Sequence, residues 1–353
     1  MKISVARRLF ATSLFPILFV FVVLVTTGLA AQGKSLDIYW IDVEGGAATL
    51  IVTPAGESVL IDAGQDLERD ISRIHHVATQ VAGLQSIDHF VATHWHADHY
   101  GGIMTLSERM RVKHFYDRGE IPPQLPDDPS FPVLMPRYQK MTAGKAVGLK
   151  PGSSLPLQRL PDQTPLVLVC LASSGRMVGG SMNGSPNSIC SNGKEPAKDD
   201  TDNAKSVVLK LQYGKFTFFD GGDLTQQMEE RLVCPINRIG TVNLLQIDHH
   251  GLDLSNNSVW LRTLHPQVVV VNNGPDKGAE TETMKSLKSL AGVEAIWQVH
   301  RNLQAKQEGN TAPEFIANSE TACKAEFIKA SVQPDATFTV QIGNRKGREY
   351  KAR

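Results

Sequence analysis

Several common chemistries have little support in this sequence. Only four of its 353 residues are cysteine (Cys170, Cys190, Cys234 and Cys323), and none forms a Cys-x-x-Cys pair, so a zinc ribbon is not indicated. There is no Gly-x-Ser-x-Gly elbow and no Gly-x-Gly-x-x-Gly loop, which removes the usual serine-hydrolase and dinucleotide-binding signatures. There is no excess of charge of either sign, with 36 Lys and Arg against 36 Asp and Glu. Residues 1–31 hold Lys2, Arg7 and Arg8 and no acid, so the remainder carries 33 basic against 36 acidic residues, net −3. Proteins that grip nucleic-acid phosphates show a basic excess, and its absence disfavours that class of partner. Glycine (29) and proline (19) are near average, and no repeat of solenoid spacing occurs, which excludes fibres and repeat arrays. With 41% hydrophobic and 20% charged residues, the chain is long enough for one large domain or two smaller ones.

One long apolar run is present. Lys2, Arg7 and Arg8 precede an uncharged stretch from Leu9 to Ala31, and Gly28-Leu29-Ala30-Ala31 supplies small residues at its exit. This is the layout of a signal peptide, with an uncleaved membrane anchor as the alternative. Both imply export, to the periplasm or the medium, with membrane contact only through an uncleaved N-terminus. An oxidising compartment allows one or two disulfides; Cys170 with Cys190 is the most local pairing, and four unpaired thiols are the alternative.

From Leu36 onward the chain reads as one domain, residues 35–353. Leu36–Val43, Ala47–Thr53 and Ser58–Ile61 alternate as strands across Gly and Pro turns, the start of an antiparallel sheet. Residues 66–83 have helical period, and Ile87–Thr93 is a short strand. Further strands are expected at Leu166–Leu171, Ser206–Gln212, Lys215–Phe219, Val242–Ile247, Val268–Val271 and Ala295–Val299, with a helix around Glu229–Leu232. Residues 121–165 hold ten of the prolines and read as loop or lid rather than core; residues 172–203 are polar and rich in Gly, Ser and Asn. Both are expected to be loop insertions that gate a substrate. Paired strands followed by alternating strands and helices, in both halves, fit two packed sheets with helices outside, an α/β (α+β) architecture.

The chemistry gathers at strand ends. Thr93-His94-Trp95-His96-Ala97-Asp98-His99 puts four metal-capable side chains into seven residues on a strand-to-helix loop. In an extended loop His94 and His96 point the same way and can converge on one ion, leaving Asp98 and His99 for a second. Asp223 follows the apolar strand Phe216–Phe219 and Asp220-Gly221-Gly222; its two oxygens can bridge two cations, with Asp220 as the competitor within the strand. His249 and His250 end the strand Val242–Ile247; adjacent strand side chains point oppositely, so one is expected to face the metals. Asp62, at the end of Val59-Leu60-Ile61, is expected to orient a ligand imidazole by a hydrogen bond. His300, also at a strand end, is an outside candidate.

These residues resemble a known family. Thr93–His99 with Gly101-Gly102 is similar to the HxHxDH signature of the metallo-β-lactamase superfamily. Ile61-Asp62-Ala63-Gly64, Gly222-Asp223 and His249-His250-Gly251 extend the match in order. Asp42-Val43 with Gly45-Gly46-Ala47-Ala48, and Asn203-x-x-Ser206-Val207-Val208, resemble the branch that includes the hydrolase domain of the competence protein ComEC. The resemblance implies a four-layer αββα sandwich with a two-metal hydrolase site between the sheets. It assigns His94 and His96 to the first metal, Asp98 and His99 to the second, Asp223 as the bridge, and His249 or His250 to complete the second site. Many members supply a third histidine to the first metal; here only His114 lies in that interval, and Asn203 stands near the place.

The expected cofactor is a pair of divalent ions, zinc first, with manganese or iron as alternatives. Such a pair makes hydroxide available near neutral pH for attack on phosphorus or carbon, with Asp98 steering the nucleophile or taking its proton. The branch resemblance favours a phosphodiester or related ester as substrate. Alternatives are a lactone, thioester or β-lactam, or a non-catalytic exported binding protein on the same fold. A flavin-coupled di-iron reaction would need a fused flavin domain, and no room for one follows residue 300.

Overall fold

Apolar runs of strand length, many flanked by glycine, direct most of the chain into two sheets. The structure, a computed structural model, describes residue 1 and residues 35–161, 163–179, 185–190, 199–305 and 307–353. The expected signal segment, residues 1–31, lies outside the described residues apart from Met1, as does part of the 172–203 segment. Among the described residues no helix is long and apolar enough to cross a membrane.

The strands in chain order are β1 (Leu36–Trp40), β2 (Thr49–Val52), β3 (Ser58–Ile61), β4 (Ser86–Val91), β5 (Arg111–Asp117), β6 (Val147–Gly148), β7 (Leu166–Ser173), β8 (Arg176–Met177), β9 (Ser185–Pro186), β10 (Val208–Tyr213), β11 (Phe216–Asp220), β12 (Ile236–Asn237), β13 (Leu244–Gln246), β14 (Val268–Val271), β15 (Ala295–His300), β16 (Ile316–Asn318), β17 (Ile328–Val332), β18 (Thr337–Ile342) and β19 (Arg348–Lys351). One sheet has the order β19-β18-β17-β1-β2-β3-β4-β5-β6, the other β16-β15-β14-β13-β11-β10-β7-β8, and β12 pairs with β9. Each large sheet joins an antiparallel half to a parallel half: β1, β2 and β3 pair antiparallel, then β3 to β6 run parallel. Likewise β7, β10 and β11 are antiparallel, and β11, β13, β14, β15 and β16 parallel. The parallel halves matter for function, because ligands bind at the carboxyl ends of such strands.

Strand alternation sorts the core into three layers of contact. Leu36, Ile38 and Trp40 of β1, Leu209 and Leu211 of β10, and Val268 and Val270 of β14 meet between the sheets. Val269 and Val271 point the other way, onto Trp260 and Leu261 of α6 (Ser258–Leu264) and Met284 of α7 (Thr281–Ser289), beside Met228 and Leu232 of α5 (Gln226–Val233). The outer face of the first sheet is covered by Ile71 and Ile74 of α1 (Glu68–His76), Leu106 of α3 (Ile103–Arg109) and Leu134 and Tyr138 of α4 (Phe131–Thr142). Helix, sheet, sheet, helix is the four-layer αββα arrangement.

Two expectations need correction. The Pro-rich segment is not all loop: α4 lies within it, with Pro132 in its first turn and Pro136 inside it, and Phe131, Leu134, Met135 and Tyr138 are buried in the outer core. Proline at the start of a helix removes only an amide that has no intrahelical partner, so Pro132 suits that position. The disulfide joins Cys190 to Cys234, with a Cα separation of 5.8 Å, rather than to Cys170. Cys170 points between the sheets and its thiol donates to Ala172 O, so it cannot reach Cys190; Cys323 is free and half-buried.

If α4 is core, Leu134→Ala should lower unfolding free energy by about 2–4 kcal/mol, the usual cost of emptying a buried leucine site. Urea denaturation checks it; a loss below about 1 kcal/mol would make the segment a lid rather than core.

Candidate metal centre

Four loops, just past the carboxyl ends of β3, β4, β11 and β13, deliver most of the candidate residues to one edge of the sandwich; Asn203 comes from the turn before β10. Asp62 follows β3, with φ 57°. Its Oδ1 accepts from Thr93 N at 2.8 Å and its Oδ2 from Thr93 Oγ1 at 2.7 Å. The same Oδ2 lies 2.7 Å from His99 Nδ1. One buried carboxylate thus fixes both ends of the histidine loop.

That loop is held from outside as well. Trp95 N donates to Asp202 Oδ2 at 2.6 Å, and Asp202 pairs with the buried Arg118 at 2.6 Å. Ala97 N donates to Asp128 Oδ2. The Trp95 indole, fully buried, donates to Glu120 O at 2.8 Å and packs on Tyr100 and Tyr138. Asp128 and Asp202 belong to the segments read as gating loops, so those segments also bracket the site. Helix α2 (Ala97–Tyr100) then starts the turn that presents Asp98 and His99. Gly46 makes room for it: a Cβ there would lie 2.4 Å from Asp98 O.

Asp223 stands past β11, and the strand residue Asp220 does not compete. Asp220 Oδ1 accepts from Gly222 N at 3.0 Å, and burial pushes its carboxyl up to about 7. His249 and His250 break the strand expectation. Ile247 is the last extended residue; His249 (φ 54°, ψ 43°) and His250 (φ 57°, ψ 10°) are both left-handed. Each such non-glycine residue costs about 1–3 kcal/mol unless its surroundings hold it. His249 N donates to Gly222 O, and His250 O accepts from Ala279 N, both at 2.9 Å. In this turn both imidazoles reach Asp223, where a continued strand would have sent one away.

The arrangement centres on the two oxygens of Asp223. Oδ2 lies 3.8 Å from His94 Nε2 and 3.4 Å from His249 Nε2. Oδ1 lies 3.2 Å from His99 Nε2 and 3.4 Å from His250 Nε2. Asp98 Oδ2 approaches His250 Nε2 at 3.6 Å and His99 Nε2 at 3.8 Å. His96, half-buried at the mouth, has Nδ1 3.1 Å from His94 Nε2 and Nε2 3.2 Å from Asp127. Asn203 Nδ2 lies 3.3 Å from His249 Nε2, on the His94 side. The outer nitrogens are oriented too: His249 Nδ1 by Ser255 Oγ and His250 Nδ1 by Asn272 O, both at 3.3 Å. His300 and His114 do not take part. His300 lies near Asp42 and Cys323, and His114 stacks on His89.

These side chains fit divalent ions. Ring nitrogens face one another, His99 Nε2 and His250 Nε2 at 3.2 Å, where a cation would serve as the common partner. Burial and the neighbouring His99 hold His94 well below the usual imidazole range; burial takes His249 down to about 4 and lowers His250 as well. Their lone pairs are therefore free. Burial opposes charge on Asp223, but His250, His99 and His249 outweigh it and hold the carboxylate ionised. His99 is the exception: burial lowers it, yet Asp223, Asp62 and Asp98 prevail and raise it, so it carries the proton a metal would displace. Neutral imidazoles with ionised carboxylates are a zinc, iron or manganese donor set.

Lys277 was not anticipated. It sits on the turn after β14, with Nζ 2.5 Å from Asp98 Oδ2 and its side chain 39% exposed. Gly278 lets that turn close on the histidines, since a Cβ there would lie 2.2 Å from His250 O. Behind the centre lies a second unanticipated group, Asp248 against Glu229, both fully buried. Burial and the neighbouring Glu229 raise Asp248 well above the carboxylate range, and Glu229 accepts from Asn256 N and Asn257 N.

An αββα sandwich with a paired imidazole–carboxylate centre at the strand ends defines a metal-site fold. Residues 41–169 match the model of the metallo-beta-lactamase superfamily. The match covers 129 of the 353 residues, just over a third of the chain. Similar solved structures include CmlA, a diiron β-hydroxylase from Streptomyces venezuelae, at 16% identity over 67% of this chain and 44% of that one (TM-score 0.38). A Cronobacter sakazakii metallo-β-lactamase with a HARLDQ motif gives 15% identity over 54% and 62% (TM-score 0.31). MEM-A1, a subclass B3 metallo-β-lactamase from a soil metagenome library, gives 14% over 76% and 77% (TM-score 0.31). The chain spans about half the length of the CmlA structures, 52% and 44%. A search of curated proteins gives no match.

Burial raises Glu229 from 4.5 to about 7, so the folded chain keeps a proton that the unfolded chain releases. Its contribution is intact below pH 4.5 and is lost as pH rises toward about 7. Glu229→Gln removes this slope. Urea unfolding of metal-free protein at pH 5 and pH 7.5 should show wild type losing about 1–3 kcal/mol relative to the variant; a difference independent of pH would refute the assignment.

Proposed function

We propose that the chain is an exported, divalent-metal-dependent hydrolase acting on a small phosphodiester or related ester. The observation that carries this is Asp223, with two imidazoles against each of its oxygens and Asp98 beside one pair. In this reading His94, His96 and His249 hold one ion, and Asp98, His99 and His250 the other, with zinc the preferred metal. His249 then supplies the third imidazole that the spacing of the motifs lacks, with Asn203 beside it. Divalent ions bound by these residues would supply Lewis-acid chemistry, lowering the pKa of water and polarising the scissile group.

The chain's own side chains account for the rest. Burial opposes the charge on Asp98, but His99, Lys277 and His250 keep it ionised, so besides holding an ion it can accept a hydrogen bond from the attacking water and orient it. Lys277 places a cation at the mouth, suited to an anionic oxygen of the substrate. Asp62 holds the His99 ring in place from behind. Net charge −3 over the chain after residue 31 fits a small anion better than a long nucleic acid. The ComEC-type resemblance is the ground for preferring phosphorus over carbon. Lys277 would serve a carboxylate-bearing lactone or β-lactam equally well, and that is the second reading. Export rests on the charge pattern of residues 1–31 and accords with the Cys190–Cys234 disulfide.

Zinc-reconstituted protein should bind two ions at the Asp223 centre and turn over an aryl phosphodiester, and Asp223→Ala should lose both of those ions and at least 10²-fold of the rate. Metal analysis with a phosphodiester, lactone and β-lactam panel decides. Lactone or β-lactam turnover alone would select the second reading, and bound metal with no turnover would leave a binding protein. Lys277→Met should raise KM for an anionic substrate about tenfold while leaving metal content unchanged; an unchanged KM would remove Lys277 from substrate binding.

A further inference from the structure

A second group of metal-capable side chains lies outside the Asp223 centre and shares no residue with it. Asp42, just past β1, His300, the last residue of β15, and Cys323, between β16 and β17, bring a carboxylate oxygen, a ring nitrogen and a sulfur within 4.8 Å of one another. Asp42 and His300 are fully buried. The Cys323 thiol donates to Asp42 Oδ2 at 3.2 Å. His300 Nδ1 lies 3.3 Å from Arg301 O, while its Nε2 is buried with no hydrogen-bond partner among the described residues. A buried imidazole nitrogen without a partner, next to a thiol and a carboxylate, is a lone pair in want of an acid. Cys323 also lines a cavity of about 440 Å³ with Asn318, Ser319, Glu320, Lys324 and Arg345, so the cluster has an entrance.

We propose that Asp42, His300 and Cys323 form a further metal site that takes one zinc-like divalent ion. Thiolate with imidazole and carboxylate is a borderline-soft donor set, which selects zinc over magnesium or calcium. Binding releases the thiol proton, and the ion then balances one thiolate and one carboxylate. Arg73 is the apparent obstacle, since it pairs with Asp42 Oδ2 at 3.0 Å. Its other arm pairs with Glu44 at 3.0 Å and donates to Cys323 Sγ at 3.6 Å, so an ion entering here displaces the guanidinium from the sulfur while Glu44 keeps its charge compensated. Three protein donors leave a fourth position toward the cavity for water. The site ties the turn after the first sheet's β1 to the end of the second sheet's β15. That turn runs into Gly46 and Ala47, and Ala47 N donates to Asp98 O, so the ion braces the loop beneath α2.

Sulfur makes the test specific, because the Asp223 centre contains none. The full-length chain, stripped of metal, is titrated with Co²⁺, and thiolate-to-cobalt charge transfer is followed in the near ultraviolet. The band is expected in the wild type, retained in Asp223→Ala and absent in Cys323→Ser, which should bind one ion fewer per chain. Asp42→Asn should raise the Co²⁺ needed for half-saturation about tenfold or more. Independently of any variant, Zn²⁺ should protect Cys323 of the wild type from alkylation. No charge-transfer band at saturating Co²⁺, equal metal content in Cys323→Ser, or alkylation indifferent to Zn²⁺ would each overturn the site.

Discussion

Everything at the functional edge of this protein depends on keeping the Asp223 carboxylate charged while it is almost wholly buried. Burial alone would protonate it. It stays ionised chiefly because the protonated His99 lies against it among the other imidazoles, and those rings hold their places only because other buried groups hold them. Asp62 positions His99, Ser255 and Asn272 position the outer nitrogens of His249 and His250, and two left-handed residues put that pair in one turn. The fold supplies the stage: the parallel halves of both sheets end at the same edge, so loops from β3, β4, β11, β13 and β14 converge there.

The same edge explains why loop and core are hard to separate here. Asp128 and Asp202 come from segments that look decorative, yet each accepts a backbone amide of the histidine loop. Arg118, buried with Asp202, adds charge compensation far from water. A pair like this is strongly destabilising to break from one side, because the surviving charge stays buried. The inserted segments are therefore part of the support of the site as well as its border.

Legibility followed sequence distance. His94, His96, Asp98 and His99 stand out in the sequence because four possible metal donors crowd into a few residues. Asp223 was readable from an apolar strand running into glycines. The fate of His249 and His250 was not, since it turns on two φ values that no side-chain pattern announces. Lys277 was invisible because its partner, Asp98, is 179 residues away in the chain. The partner of Cys190 was misjudged for the same reason: proximity in sequence favoured Cys170, but strand alternation points Cys170 into the core. Prolines hid α4, although Pro132 stands where a helix tolerates it. The returning strands β17 and β18 alternate cleanly, a period-two pattern legible past residue 300, but that β17 pairs with β1 and β18 with β17 is set by the tertiary fold.

Trp95 has a consequence of another kind. It is the residue between His94 and His96, sealed from water, with its indole against Tyr100 and Tyr138 and the Arg118 guanidinium 5.8 Å from the ring centre. A fluorophore in that position shares its backbone with two candidate ligands. Its surroundings are a guanidinium and two phenols, so a change of charge in the adjoining centre acts on its emission directly. Of the four tryptophans of the chain, Trp95 is the one that places an intrinsic fluorophore inside the histidine loop.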